Sequence, residues 1–243
     1  MSSHLKVAIV SRTLIVGDVH GCLAELEELL AVASIGDDDA VIFVGDLIAR
    51  GPDSPGVLDL VKCINAKSVQ GNHERKLLQA YTTERQSGQS MKLAAGHRQL
   101  LRVLTPEQWA VIESMPFYLE LPQHQACVVH AGVLPGLPMA RQDPWVLTHI
   151  RSLDPNGRPS PDTSYMRWSQ SYRGPTHIVF GHSAQIGIQF AEYATGLDSG
   201  CVYGGRLTGL LLEEGKPVPA LAERAKALVS VPARRVYYQP RAS

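Results

Sequence analysis

Five short stretches of this 243-residue chain place side chains able to hold divalent metal ions beside a glycine. They are Gly17-Asp18-Val19-His20-Gly21, Gly45-Asp46, Gly71-Asn72-His73-Glu74, His130-Ala131-Gly132 and Gly181-His182. Aspartate, asparagine and histidine together offer the mixed oxygen and imidazole ligands suited to Mn, Fe, Zn or Co. The glycines allow tight turns and close backbone approach. Asp18, His20, Asp46, Asn72, His130 and His182 make six ligand side chains, about what two ions with a shared water need. In such a centre one carboxylate bridges the ions, which lower the pKa of the water and hold a phosphoryl group for in-line displacement. Taken singly, an aspartate after a strand is ordinarily a turn residue or helix cap, and a lone histidine a surface or core group. The ordered set of five is what points to chemistry. His4, His97, His124, His149 and His177 lack such a context and read as ordinary surface or core histidines.

The elements that must position these residues follow from apolar periodicity. Thr13–Val16 and Ala40–Val44 read as buried strands ending at Gly17-Asp18 and Gly45-Asp46. Leu23, Leu26, Leu29 and Leu30, and later Val57, Leu58, Val61 and Ile64, recur at helical spacing. Strand and helix in alternation imply a parallel α/β sheet, whose ligands gather past the carboxyl ends of its strands. The brief Ser68-Val69-Gln70 run precedes the third motif. About residues 75–115 form a helical, Gln/Lys/Arg-rich insertion, in which Thr105-Pro106-Glu107-Gln108 has the form of a helix start. Strands are expected at Phe117–Leu121, Ala126–His130, Thr176–Phe180, Leu207–Leu212 and Arg235–Tyr238, with Leu134–Pro161 as loop. No repeat or linker interrupts the chain, so residues 1–243 are expected to form a single domain.

Composition narrows the classes. Hydrophobic residues make up 44% and charged residues 19%, which excludes a disordered chain. With 23 basic and 23 acidic residues the formal net charge is zero, so no broad basic face for nucleic acid is expected and phosphate recognition must be local. The four cysteines, Cys22, Cys63, Cys127 and Cys201, show no pairing rhythm and read as reduced thiols. The Val7–Val10 run is too short for a signal-peptide core or a membrane span. A cytoplasmic location follows as the expectation.

The order and content of the five motifs resemble the calcineurin-like metallophosphoesterase superfamily, particularly its phosphoprotein phosphatase lineage, over nearly the whole chain. The resemblance implies an α/β fold: a two-sheet mixed β-sandwich flanked by helices, with a dinuclear site at one edge. It further implies that Asp18 and His20 bind the first ion, that Asp46 bridges, and that Asn72, His130 and His182 bind the second. Two divalent ions are implied, with Mn expected and Fe, Zn or Co as alternatives. His73 would protonate the leaving group. Arg50 would hold the phosphoryl oxygens, a task that suits the planar guanidinium fork. A second phosphate arginine is usual in this lineage, and Arg167 is favoured over Arg173.

The substrate class turns on finer features. In the protein-phosphatase branch an aspartate precedes the motif arginine and orients the catalytic histidine; here Ala49 stands there. The run Gly45-Asp46-Leu47-Ile48-Ala49-Arg50-Gly51-Pro52-Asp53-Ser54 resembles instead the symmetrical diadenosine tetraphosphatase branch. Without a carboxylate partner His73 is a weaker acid catalyst. A nucleotide phosphate leaving from an anhydride needs less protonation than an alkoxide, so Ala49 favours anhydrides unless another carboxylate supports His73. Glu74, by contrast, matches the protein phosphatases. The stretch Ala194–Gly205 resembles one found in the tetraphosphatase-like enzymes; Tyr203 within it either reaches the site or belongs to a glycine-rich turn. Arg75 and Lys76 either bind distal phosphates or form a solvated face. The function so implied is a two-metal hydrolase of dinucleoside polyphosphates, splitting diadenosine tetraphosphate to ADP. A serine/threonine or dual-specificity protein phosphatase and an inorganic polyphosphatase are the alternatives. A scaffold without activity is disfavoured because every ligand and His73 are present. The expected partner is a small phosphorylated molecule, with no membrane.

Overall fold

The computed structural model describes residues 11–239; the apolar run at 7–10 and His4 lie outside the described residues. Along the chain come β1 (Arg12–Val16), α1 (Leu23–Val32), β2 (Ala40–Phe43), α2 (Ser54–Cys63) and β3 (Lys67–Ser68). The helical insertion follows as α3 (Asn72–Ser87), α4 (Ala95–Val103) and α5 (Pro106–Glu113). Next are β4 (Tyr118–Leu121), β5 (Ala126–Val129), α6 (Pro144–His149), β6 (Ser152–Leu153), β7 (Pro159–Ser160), β8 (Met166–Arg167) and α7 (Trp168–Ser171). The chain closes with β9 (His177–Phe180), β10 (Gln189–Ala191), β11 (Ala194–Gly196), β12 (Arg206–Glu213) and β13 (Leu228–Pro232).

Two five-stranded sheets, ordered β13-β12-β1-β2-β3 and β10-β11-β9-β5-β4, form the expected mixed sandwich. The central strands are apolar on both faces, and their alternation decides which layer each side chain enters. Leu14, Val16, Val41 and Phe43 pack against the helices, while Ile15, Ile42 and Val44 turn towards the second sheet. On that sheet Val128 and Val179 face inward, whereas Val129, Ile178 and Phe180 pack outward on Trp168 and α6. β1, β2 and β3 run parallel, as do β5, β9 and β11, so their carboxyl ends collect at one edge of the sandwich.

The predicted helix start is present: the Gln108 N–H donates to Thr105 Oγ1 at 3.3 Å, and the Thr105 N–H to Gln108 Oε1 at 3.0 Å. Two expectations need correction. The stretch at 134–161 carries α6 and the β6–β7 hairpin, and the hairpin joins β8 in a third, three-stranded sheet. These pieces are too short for periodicity to show them. No strand forms at 235–238; β13 ends at Pro232, which has no N–H for the ladder. The tail beyond it is pinned elsewhere, with the Arg234 N–H and the Tyr237 hydroxyl both donating to Glu25 Oε1 at 2.8 Å.

Candidate two-metal active site

All six expected ligands converge at the carboxyl edge. Asp18 and Asp46 follow β1 and β2, Asn72 opens α3 after β3, and His130 and His182 follow β5 and β9. The turns are tight: His20, Asp46, Arg50 and His182 adopt φ of 48°, 50°, 70° and 71°. Non-glycine residues seldom occupy this left-handed region, and such strain gathers at functional sites. Gly181 admits no side chain, because a Cβ there would come within 1.9 Å of Asp18 Oδ1. Glu74, one turn into α3, holds the Asp46 turn in place. Its Oε2 accepts from the Asp46 and Gly71 N–H groups at 2.9 and 3.0 Å, and its Oε1 from Ile48 at 3.1 Å. Burial raises its carboxyl to about 7.

Two ligand sets share Asp46. The carboxylate receives the His73 N–H on Oδ1 at 3.0 Å, while Oδ2 lies 3.6 Å from His20 Nε2 and 3.5 Å from His130 Nε2. Each of these histidines spends its other nitrogen on a backbone carbonyl: His20 Nδ1 on Ile48 at 3.0 Å, His130 Nδ1 on Val44 at 2.9 Å. Those bonds fix the tautomer and leave Nε2 as a lone pair facing inward. His130 Nε2, His182 Nδ1 and Asn72 Oδ1 sit 2.9 to 3.1 Å from one another. Three acceptor-type atoms with at most one proton between them repel. A cation removes the conflict, and ligands about 2.1 Å from an ion lie about 3 Å apart around it. The residues therefore fit a divalent metal pair. Asp18 accepts the His182 N–H at 3.1 Å and lies beside Asp198.

The electrostatics agree. Burial raises the carboxyls of Asp18, Asp46 and Asp198, and for Asp18 the charges of Asp198 and Asp46 add to the effect. Burial lowers His20 to about 3 and His130 to about 4, so both are neutral ligands near pH 7. A carboxyl raised in the folded state stabilises the metal-free protein below its unfolded pKa, and that contribution is lost as pH climbs through the folded value. Metal binds the ionised form, so it replaces protons at low pH and relieves repulsion at high pH. The histidines are already neutral and add little pH dependence. The rise in Tm on adding Mn²⁺ should accordingly be small near pH 5 and grow towards pH 8. A thermal scan showing an equal or larger shift near pH 5 would contradict this electrostatic picture.

The other expected residues divide. His73 is buried in the first turn of α3, its ring 4.9 Å from those of His20 and His97. Among the described residues no carboxylate hydrogen-bonds its ring, although the Asp46 carboxylate lies within 4.8 Å: His73 Nδ1 and His97 Nε2 are buried without hydrogen-bond partners. His97, read from sequence as ordinary, instead stacks on His73 with 22° between the planes. His124 and His177 are core histidines as expected, bonded to Thr13 and Thr195 hydroxyls at 2.9 Å. The Arg50 guanidinium donates to His20 Nε2 at 2.8 Å and rests 5.5 Å from the Tyr203 ring, so Tyr203 does line the site. Lys76 lines a cavity beside His73, whereas Arg75 is tied to the Thr148 hydroxyl at 3.0 Å and is absent from that lining. Arg167 and Arg173 fall outside the pocket; Arg167 continues β8, and Arg173 is bonded to the Gln170 carbonyl at 2.7 Å. Besides Arg50, the arginine lining the pocket with the buried carboxylates is Arg151, anchored to the His182 carbonyl at 3.3 Å.

A sandwich edge with this ligand set defines a metallophosphoesterase, and the chain belongs to the calcineurin-like phosphoesterase family, whose profile matches residues 11–186. It is therefore a hydrolase, and family members use a dinuclear divalent metal centre with which these clusters are compatible. Among similar proteins, bis(5'-nucleosyl)-tetraphosphatase PrpE [asymmetrical] of Bacillus mycoides is 30% identical over 82% of this chain and 90% of its own length. The protein of the same name from Geobacillus thermodenitrificans is 31% identical, again over 82% and 90%. A crystal structure reported as a candidate diadenosine tetraphosphatase superposes with a TM-score of 0.79 at 33% identity, covering 93% of this chain and 95% of that one. A serine/threonine phosphatase from Saccharomyces cerevisiae shares the fold at 14% identity, with a TM-score of 0.59 over 97% of this chain and 83% of its own. Among the described residues no helix is long and apolar enough to cross a membrane, and the cysteines are free thiols.

Proposed function

We propose that the chain hydrolyses a phosphoanhydride bond of a dinucleoside tetraphosphate. The observation that carries this reading is the unbonded His73 ring: a buried imidazole with no carboxylate hydrogen bond among the described residues suits a phosphate leaving group, which needs little protonation. The tetraphosphatase names of the relatives support the same substrate class. Asp18 and His20 are assigned to one ion, Asn72, His130 and His182 to the other, and Asp46 to both, with Mn²⁺ as the metal. When bound, the ions supply an activated water and neutralise phosphoryl charge. Arg50 and Arg151 hold the phosphoryl oxygens. The water oxygen forms a new bond to phosphorus as the bridging P–O bond breaks with its electron pair going to the departing phosphate, whose oxygen His73 protonates.

The sequence resemblance favours a symmetrical split, whereas the relatives carry the word asymmetrical in their names. The names of those relatives, matched over 82% of this chain, support the asymmetrical bond. Incubation of Mn²⁺-loaded protein with diadenosine tetraphosphate, with Asp46→Asn as the blank, should therefore yield ATP and AMP. ADP alone would retain the substrate and overturn the bond assignment. Turnover of a phosphoserine peptide, with none of the tetraphosphate, would replace this reading with that of a protein phosphatase.

A further inference from the structure

Arg50, Asn72 and Tyr238 are common walls of two cavities at the metal site. The first, about 600 Å³, extends from Asp46 and His182 past Arg151 to Ser199 and Tyr203. The second, about 700 Å³, extends from His73 between Lys76 and His97 to Leu100 and Val103. Both volumes lie within the range of roughly 300–1,000 Å³ that small-molecule sites occupy.

Tyr238 comes from the C-terminal tail that the sequence reads as a strand. The tail is fastened to the turn after β11: the Tyr237 and Tyr238 N–H groups both donate to the Val202 carbonyl at 3.0 Å, and the Ala233 N–H to Gly205 at 2.9 Å. Tyr238 as a residue is nonetheless 40% exposed, with the Arg50 guanidinium carbon 5.7 Å from its ring centroid. An aromatic ring held on a pinned backbone, with area still open to solvent beside a phosphate-binding arginine, meets the needs of a stacking platform for a base. Little further ordering is required when the base arrives.

We propose that the two cavities each receive one nucleoside end of the substrate, with Tyr238 as the shared aromatic wall and the His73–Lys76 cavity taking the arm that departs. This rests on the dinucleoside reading above. The polarity follows from His73, which lines the second cavity and not the first. In an in-line displacement the departing oxygen lies opposite the attacking water, so the group that protonates it marks the departing side. Lys76, exposed on that side, meets the negative charge the departing arm acquires.

The test is the ratio of kcat/KM for diadenosine tetraphosphate to that for p-nitrophenyl phosphate, which has no second arm. Tyr238→Ala should lower this ratio about tenfold, the scale of one lost base–aromatic stack, and Tyr238→Phe should restore it. Val103→Trp, at a half-exposed position of the second cavity, should lower it independently by obstructing the departing arm. A wild-type ratio in both Tyr238→Ala and Val103→Trp overturns the two-cavity assignment. If the wild-type protein hydrolyses the aryl phosphate but no dinucleoside polyphosphate, the substrate reading itself fails and this inference falls with it.

Discussion

Replacing Asp46 by Asn should reduce kcat/KM by more than about 10³-fold. Loss of one neutral donor to a developing oxyanion typically costs 10²–10³-fold, roughly 3–4 kcal/mol. Asp46 contributes a full charge, placed 3.6 Å from one ligand histidine and 3.5 Å from another. An asparagine there keeps the size and removes the charge both ions would share. The fold should survive, because the Asp46 and Ile48 N–H groups remain held by Glu74. Steady-state kinetics with unchanged thermal unfolding of the metal-free protein is the check. Activity within tenfold of wild type would show that no bridging carboxylate is needed.

The second large effect is expected at His73, and it should depend on the substrate. General acid catalysis contributes about 10²–10⁴-fold where the leaving group is strongly basic. His73→Ala should therefore cost on the order of 10² or more with an alkyl phosphate, and under about tenfold with a phosphoanhydride. His73 lies between the rings of His20 and His97, and burial together with these neighbours and Arg50 pushes its pKa well below the ordinary histidine value. Such a group holds a proton poorly, as an anhydride permits. Comparing wild-type and variant rates across leaving groups of different basicity reads this out. A loss of the same size for every leaving group would remove proton donation from the role of His73.

Most of the ligands are legible because they sit where an apolar strand gives way to glycine and a coordinating side chain, a local pattern; Asn72 follows only the brief Ser68-Val69-Gln70 run. The sandwich was legible for a related reason: β1, β2, β5 and β9 are short apolar runs. What escaped depends on distant contacts. His97 is brought back onto His73 by the turn between α3 and α4, and nothing near it in sequence marks that return. Arg151 lies in a stretch whose sequence reads as loop, while Arg167, whose sequence neighbourhood favours it, ends β8 and does not line the pocket. Asp198 could have been found, since it follows β11 after a glycine much as Asp18 follows β1. Val236, Tyr237 and Tyr238 have strand-forming side chains, but the Tyr237 hydroxyl bond to Glu25 and the stop at Pro232 decide otherwise.

The central claim is a metal pair held through Asp46, and the most direct measurement is a Mn²⁺ titration of the purified protein followed by electron paramagnetic resonance. Two ions per chain with the broadened signal of an exchange-coupled pair are predicted, the coupling disappearing in Asp46→Asn. A single isolated ion at full activity, or an unchanged coupled signal in Asp46→Asn, would contradict it.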